Sequence, residues 1–192
     1  MFKFRKLIVI SITSILFIFF SNAYAESVQE IIASAQKGNT DAQNKLGNMY
    51  YDGKGVAQDY NESLRWYKKA AKTGNIEALN NVGLVYSTVL NDGNMALYWY
   101  DKALKQGDVS ASNRIGMVYL LGKNGVKQDY KEAMRWFEKA TKLGDKNGPA
   151  NIASMYFNGD GVARDYDKAM YWYKEAAKRG NGLAEMKLRE DF

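Results

Sequence analysis

Apolar positions along this chain repeat at helical spacing, interrupted by glycine. Ala42, Leu46 and Met49/Tyr50 fall at i, i+4, i+7 and i+8, which places them on one face of a helix. Gly53-Lys54-Gly55-Val56 breaks the pattern, its glycines permitting the positive φ of a tight connection. A second stripe follows in Leu64, Tyr67 and Ala70/Ala71. Asp59 precedes it as the expected N-cap, with Glu62 three residues on in a capping-box arrangement; Asp129 and Glu132 repeat the pair. Lys68, Lys69 and Lys72 crowd the end of this second helix, where cations complement the macrodipole. Gly74 is the expected C′ glycine, and Asn75 beside it caps the next helix. The same Gly-Asn or Gly-Asp step recurs at Gly38-Asn39, Gly107-Asp108, Gly144-Asp145 and Gly180-Asn181.

These helix pairs repeat with a period near 36. Trp66, Trp99, Trp136 and Trp172 are spaced by 33, 37 and 36 residues, and Gly74, Gly107, Gly144 and Gly180 keep the same spacings. Tyr50, Tyr86, Tyr119 and Tyr156 recur likewise, with Gly47, Gly83, Gly116 and Ala153 three residues before each. A period of this size predicts stacked two-helix units. A mid-helix glycine costs about 1 kcal/mol relative to alanine. Its recurrence at Gly47, Gly83 and Gly116 therefore implies a recurring gain: close approach of the partner helix, letting the aromatic of the next turn pack down. The Trp/Tyr series itself, in one phase in every unit, reads as inter-helix packing rather than a ligand-stacking surface.

Residues Asp41–Gly74 resemble the Sel-one-like repeat (SLR), a relative of the tetratricopeptide repeat, through Ala42, Leu46, Gly47, Tyr50, Gly53, Gly55, Val56, Asp59, Trp66, Tyr67, Lys69, Ala70, Ala71 and Gly74. The unit at 110–144 keeps nearly all of this pattern with one extra residue between Gly122 and Gly125. The unit at 147–180 keeps Tyr156, Gly159, Gly161, Val162, Asp165, Ala169, Trp172, Tyr173, Ala176, Ala177 and Gly180. The unit at 77–107 departs, with the shorter connection Leu90-Asn91-Asp92-Gly93. Residues 27–38 read as a lone second helix and 182–189 as a closing first helix. The resemblance implies an all-α, right-handed α/α solenoid over 26–192, with four repeats and a half-repeat at each end. It also implies a non-enzymatic scaffold that binds a protein or peptide partner in a concave groove lined by first helices, in bacteria as a host-interaction factor or an effector-immunity protein. A cysteine-rich branch of the family has been linked with penicillin-binding or β-lactamase-like activity, so a cell-envelope hydrolase is the competing reading.

Residues 1–25 change where this scaffold is expected to work. Lys3, Arg5 and Lys6 precede the apolar run Leu7–Phe20, and Ser21-Asn22-Ala23-Tyr24-Ala25 offers a small-x-small cleavage site, so the segment reads as a secretory signal peptide. Fourteen helical residues cover about 21 Å, short of a hydrocarbon core of about 30 Å, which disfavours the competing reading of an uncleaved anchor. The protein is therefore expected in the periplasm or secreted, with no stable membrane insertion once the segment is cleaved. Cleavage would also remove three cations and no acid, lowering the net charge from +6 to +3. That mild balance, with export, argues against a nucleic-acid partner.

Composition narrows the chemistry. The sequence has no Cys and no His, which excludes disulfides, thiolate or imidazole metal sites, Cys nucleophiles and His-based triads. The paired-Cys signature of the cysteine-rich branch is absent, so its activity is not carried over. No phosphate loop, dinucleotide fingerprint, zincin motif or calcium loop occurs, and no cofactor is expected. Asp59, Asp129 and Asp165 hold N-cap positions, which explains them without a catalytic role.

The candidate partner contacts are first-helix positions that vary between units. By tetratricopeptide-like geometry the groove is lined by Asn44, Asn80 and Asn113, by Tyr51, and by the apolar Leu84, Met117, Leu120, Leu121 and Phe157. The Asn amides, each donor and acceptor, could hold the backbone of an extended segment while the apolar residues anchor its side chains. The alternative is that these Asn side chains cap or bridge neighbouring units.

Overall fold

The computed structural model describes residues 27–190, and the proposed leader at 1–25 lies outside them. The described residues are all-α: helices joined by short connections, with only two isolated β-bridges. They fall into two compact units divided after Asn75. The first holds α1 (27–36), α2 (Thr40–Asp52) and α3 (Tyr60–Lys72). The second holds α4 (Ile76–Thr88), α5 (Gly93–Lys105), α6 (Ser110–Leu121), α7 (Tyr130–Lys142), α8 (Asn147–Asn158), α9 (Tyr166–Lys178) and α10 (Gly182–Glu190). Helices α1 and α10 occupy the segments read as lone halves of a repeat. Within the second unit every helix packs on the next in the chain, in the hairpins α4/α5, α6/α7 and α8/α9 with α10 closing on α9. This nearest-neighbour order is the organisation of a helical solenoid.

The mid-helix glycines sit where the helices of a hairpin approach most closely. A Cβ built on Gly47 would lie 2.5 Å from the Tyr67 ring, on Gly83 2.5 Å from the Tyr100 ring, and on Gly116 2.6 Å from the Phe137 ring. The fourth hairpin places Ala153 and Tyr173 in one buried cluster. The close approach is as expected, but the aromatic belongs to the partner helix, one residue after the Trp, rather than to the glycine's own next turn. Those four aromatic side chains are buried. Around Phe137 the core gathers Ala133, Ile152 and Met155; in the first unit it gathers Val28, Ala35, Leu46, Met49 and Trp66.

Local capping follows the sequence closely. Asp59, Asp92, Asp129 and Asp165 cap α3, α5, α7 and α9, each accepting from backbone N–H groups of the first turn. The expected capping box forms by half. The Asp59 N–H donates to the Tyr50 carbonyl at 2.9 Å, as Asp129 does to Tyr119, closing the loop between the helices of a hairpin. With that donor taken, Glu62 and Glu132 turn instead to Arg65 and Arg135. At the far ends of the second helices, Gly74 has φ +86°, the left-handed conformation glycine adopts at lowest cost.

The two departures from the repeat meet each other. The short connection after α4 leaves Gly93 buried, and its N–H donates to the carbonyl of Asn124 at 2.8 Å. Asn124 belongs to the lengthened connection after α6, which holds the extra residue. A Cβ on Gly93 would press on Lys123 and Val126 at 2.8 Å, so the long loop fills the space that the short one vacates.

Candidate partner-binding face

The tryptophans keep a recurring lysine neighbour. Lys69 lies 3.8 Å from the Trp66 ring centroid, Lys102 4.9 Å from that of Trp99, and Lys139 4.3 Å from that of Trp136. The lysines near the helix ends thus cover indole faces in cation–π contacts as well as complementing the dipole. In the fourth repeat Glu175 takes the equivalent place and pairs with Lys178 at 2.6 Å.

In the first unit Asn44 is buried, and Tyr51 is half-buried with its ring edge-on to Tyr60 at 5.3 Å. Gln58 donates its amide to the Tyr51 carbonyl at 2.8 Å, fixing that end of α2.

In the second unit the Asn positions join elements together. The Asn80 side-chain amide donates to Asp108 at 2.5 Å and to the Ile76 carbonyl at 3.1 Å, while its oxygen is buried without a partner among the described residues. Asp108, in the step before α6, also accepts from the Ser110 N–H at 3.0 Å. One carboxylate therefore accepts both from the first residue of α6 and from Asn80 of α4. Asn113 accepts from the Asn151 amide at 2.6 Å, linking α6 to α8. Asn181 repeats the device, accepting from the Ala184 N–H and donating to Asn147 at 3.0 Å. Asn80→Ala is expected to lower the unfolding free energy by about 1 kcal/mol, the typical net value of one such hydrogen bond. Urea denaturation checks this, and an unchanged midpoint would contradict it.

The apolar candidates differ in exposure. Met117 and Leu120 pack partly against the Phe137 cluster, and Phe157 packs partly against the Tyr173 cluster with its ring edge-on to Tyr166 at 5.3 Å. Leu84 is half-buried, whereas Leu121 leaves 53% of its surface in solvent. Met117 and Leu120 are thus brought together on one cluster, Phe157 sits on another, and Leu121 stands free of both.

Titration adds little to this face. The Lys168 backbone N–H, and then its side chain, hold the Asp165 carboxyl below its ordinary range, and Lys178 does the same for Glu175. These pairs raise Lys168 and Lys178 in turn. Burial, then Glu132 and Asp129, pushes the Tyr119 hydroxyl up. Carboxyls depressed in the folded state contribute stability above the ordinary carboxylate range and lose it as pH falls through the folded values. The raised lysines and Tyr119 contribute below about pH 10 and lose it above. With no His in the sequence, the melting temperature is expected to be flat between about pH 5.5 and 8 and to fall only slightly below about pH 4, since the carboxylate pairs are exposed and screened. A transition between about pH 6 and 7 in thermal melts would contradict this assignment.

Comparison with known proteins places this arrangement. The profile of the Sel1 repeat matches residues 40–75, 76–108, 109–145 and 150–181. A Sel1 repeat protein from Oxalobacter formigenes is 34% identical, superposes with a TM-score of 0.67, and is matched over 88% of this chain and 70% of its own. A protective antigen present in uropathogenic Escherichia coli strains, displaying an SLR fold, is 28% identical with a TM-score of 0.55 over 86% of this chain and 44% of its own. The Arabidopsis thaliana protein HRD3A, an ERAD-associated E3 ubiquitin-protein ligase component, is 35% identical over 63 residues, 32% of this chain and 9% of its own length. This chain thus spans a small part of that plant protein. Sel1 repeat proteins generally mediate protein–protein interaction, and the family is generally non-catalytic. With four matched repeats and a small residue set against a buried aromatic in each hairpin, the chain belongs to the Sel1 repeat family.

Proposed function

We propose that this protein is an exported, non-catalytic interaction scaffold that takes a protein or peptide partner on its first-helix face, in the periplasm or outside the cell. The observation that carries the reading is a division of labour within the hairpins. The repeated aromatics Tyr67, Tyr100, Phe137 and Tyr173 are buried in holding helix to helix. The varying apolar positions Leu84, Met117, Leu120, Leu121, Phe157 and Tyr51 remain partly or largely open. Open apolar side chains on a face whose core is already satisfied are what a partner covers. In the second unit Asn80 and Asn113 tie the first helices to neighbouring elements through Asp108 and Asn151.

The likeness to a protective antigen of uropathogenic Escherichia coli supports a role at the host interface, with effector immunity as the other exported role. Export is supported by the leader-like segment, and intact mass of the released protein is expected to start at Glu26. The binding reading is tested by photo-crosslinking in the producing cell. A crosslinking side chain at Leu121 or Leu84 is expected to trap a discrete protein adduct, and one at Lys131, exposed on α7, to trap none. Equal labelling at all three positions, or none at any, overturns it.

A further inference from the structure

The charge distribution of the second unit is uneven in a way that points to the partner's chemistry. Helices α5, α7 and α9 carry charges along their length. Across the first helices α4, α6 and α8, the charged side chains are Glu77, in the first turn of α4, and Arg114, in the middle of α6. Everything else on those three helices is apolar, Asn, Ser, Thr, Tyr, Gly or Pro. Arg114 is partly buried, its Nε is shut away from solvent without an acceptor, and its guanidinium makes no ion pair or hydrogen bond among the described residues. Among the described residues it lies over the Tyr100 ring, at 6.0 Å from the centroid. That is the outer limit of a useful cation–π interaction, so the ring does not account for the cation. A guanidinium N–H withdrawn from water without an acceptor is costly in a folded chain. Elsewhere in this protein cations are spent on carboxylates, as in Arg65–Glu62, Arg135–Glu132 and Lys178–Glu175.

Arg114 also has a fixed relation to the open apolar side chains. Met117 and Leu121 follow at i+3 and i+7, on the same side of α6. We propose that Arg114 receives an acidic side chain of the partner, so that the face selects an otherwise apolar peptide segment carrying one Asp or Glu, its apolar neighbours resting on Met117 and Leu121. This rests on the interaction-scaffold reading and names the partner's chemistry. A carboxylate there would take the planar guanidinium in a charge-assisted pair, strengthened because Nε is already withdrawn from water. The Asn- and Ser-rich remainder offers hydrogen bonds to the peptide backbone but no competing charge.

The test is a selection of random twelve-residue peptides displayed on phage against the full chain expressed with its own N-terminal segment, run in parallel on Arg114→Gln and Arg114→Lys. Far-ultraviolet circular dichroism melts establish that both variants fold. Wild type is expected to enrich peptides with one fixed acidic position beside apolar ones. Arg114→Gln is expected to lose that acidic column while keeping the apolar ones, and Arg114→Lys to keep it in part. A synthetic peptide from the wild-type selection, with its acid changed to the amide, is expected to bind wild type at least about ten-fold more weakly and Arg114→Gln unchanged. Enriched peptides without an acidic column, or an acidic column that survives in Arg114→Gln, overturn this assignment and leave the scaffold reading standing. No enrichment on wild type, together with no adduct at Leu121 or Leu84, overturns both.

Discussion

Replacing Phe137 by alanine is expected to cost about 3–5 kcal/mol, the range for removing a fully buried aromatic side chain. Phe137 has no solvent exposure. Its ring rests on the bare backbone of Gly116 and packs with Ala133, Ile152 and Met155, which come from its own helix and from α8. Truncation opens a space bordered by three helices, and the backbone of α6 cannot close it without losing its other contacts. Urea denaturation followed by circular dichroism measures the loss. A cost below about 1 kcal/mol would show that the ring is a passive filler and that the hairpin is held elsewhere.

Gly116→Leu approaches the same contact from the opposite side. Even the Cβ would stand 2.6 Å from the Phe137 ring, closer than two carbons tolerate, and the ring has no exposed side toward which to move. Overpacking of this kind costs about 1–3 kcal/mol. Loss of the mid-helix glycine returns about 1 kcal/mol of helix propensity, so Gly116→Ala should be milder than Gly116→Leu. The two substitutions are also expected to be coupled. In the Phe137→Ala background the leucine has room, so the double variant should be more stable than the sum of the single losses predicts. Strict additivity in the denaturation midpoints would show that the two side chains do not share one volume.

These contacts also show how far sequence reasoning reached. Gly47, Gly83 and Gly116 were legible because a mid-helix glycine is costly and its periodic return demands compensation; which aromatic supplies it was not, since Tyr50 and Tyr67 are both in phase with the repeat. Caps at Asp59, Asp129 and Asp165, and the left-handed Gly74, were legible because they depend on a few adjacent residues. The reciprocal half of the capping box was misread for the converse reason: its donor goes to Tyr50, nine residues away and across the loop.

On the candidate face, variation between repeats singled out Leu84, Met117, Leu121 and Phe157, but their unequal exposure depends on neighbours that spacing does not specify. The links Asn80–Asp108 and Asn113–Asn151 join residues 28 and 38 apart, and no local rule couples them. Arg114 is not legible in the sequence, because a single Arg on a helix is unremarkable until the missing acceptor of its Nε is seen.

The backbone bond from Gly93 to Asn124 has a consequence for how such an array can change over generations. Tandem repeats lengthen and shorten by unequal recombination, which exchanges whole modules and treats them as interchangeable. Here the second module carries a deletion and the third an insertion, and each is accommodated by the other. A recombinant that lost or duplicated one of the two would seat an ordinary loop against an altered one, leaving either a gap or a clash beside Gly93. Such recombinants are expected to be purged, so these two modules are inherited as a linked pair and the array keeps a fixed internal order despite its uniform outward pattern.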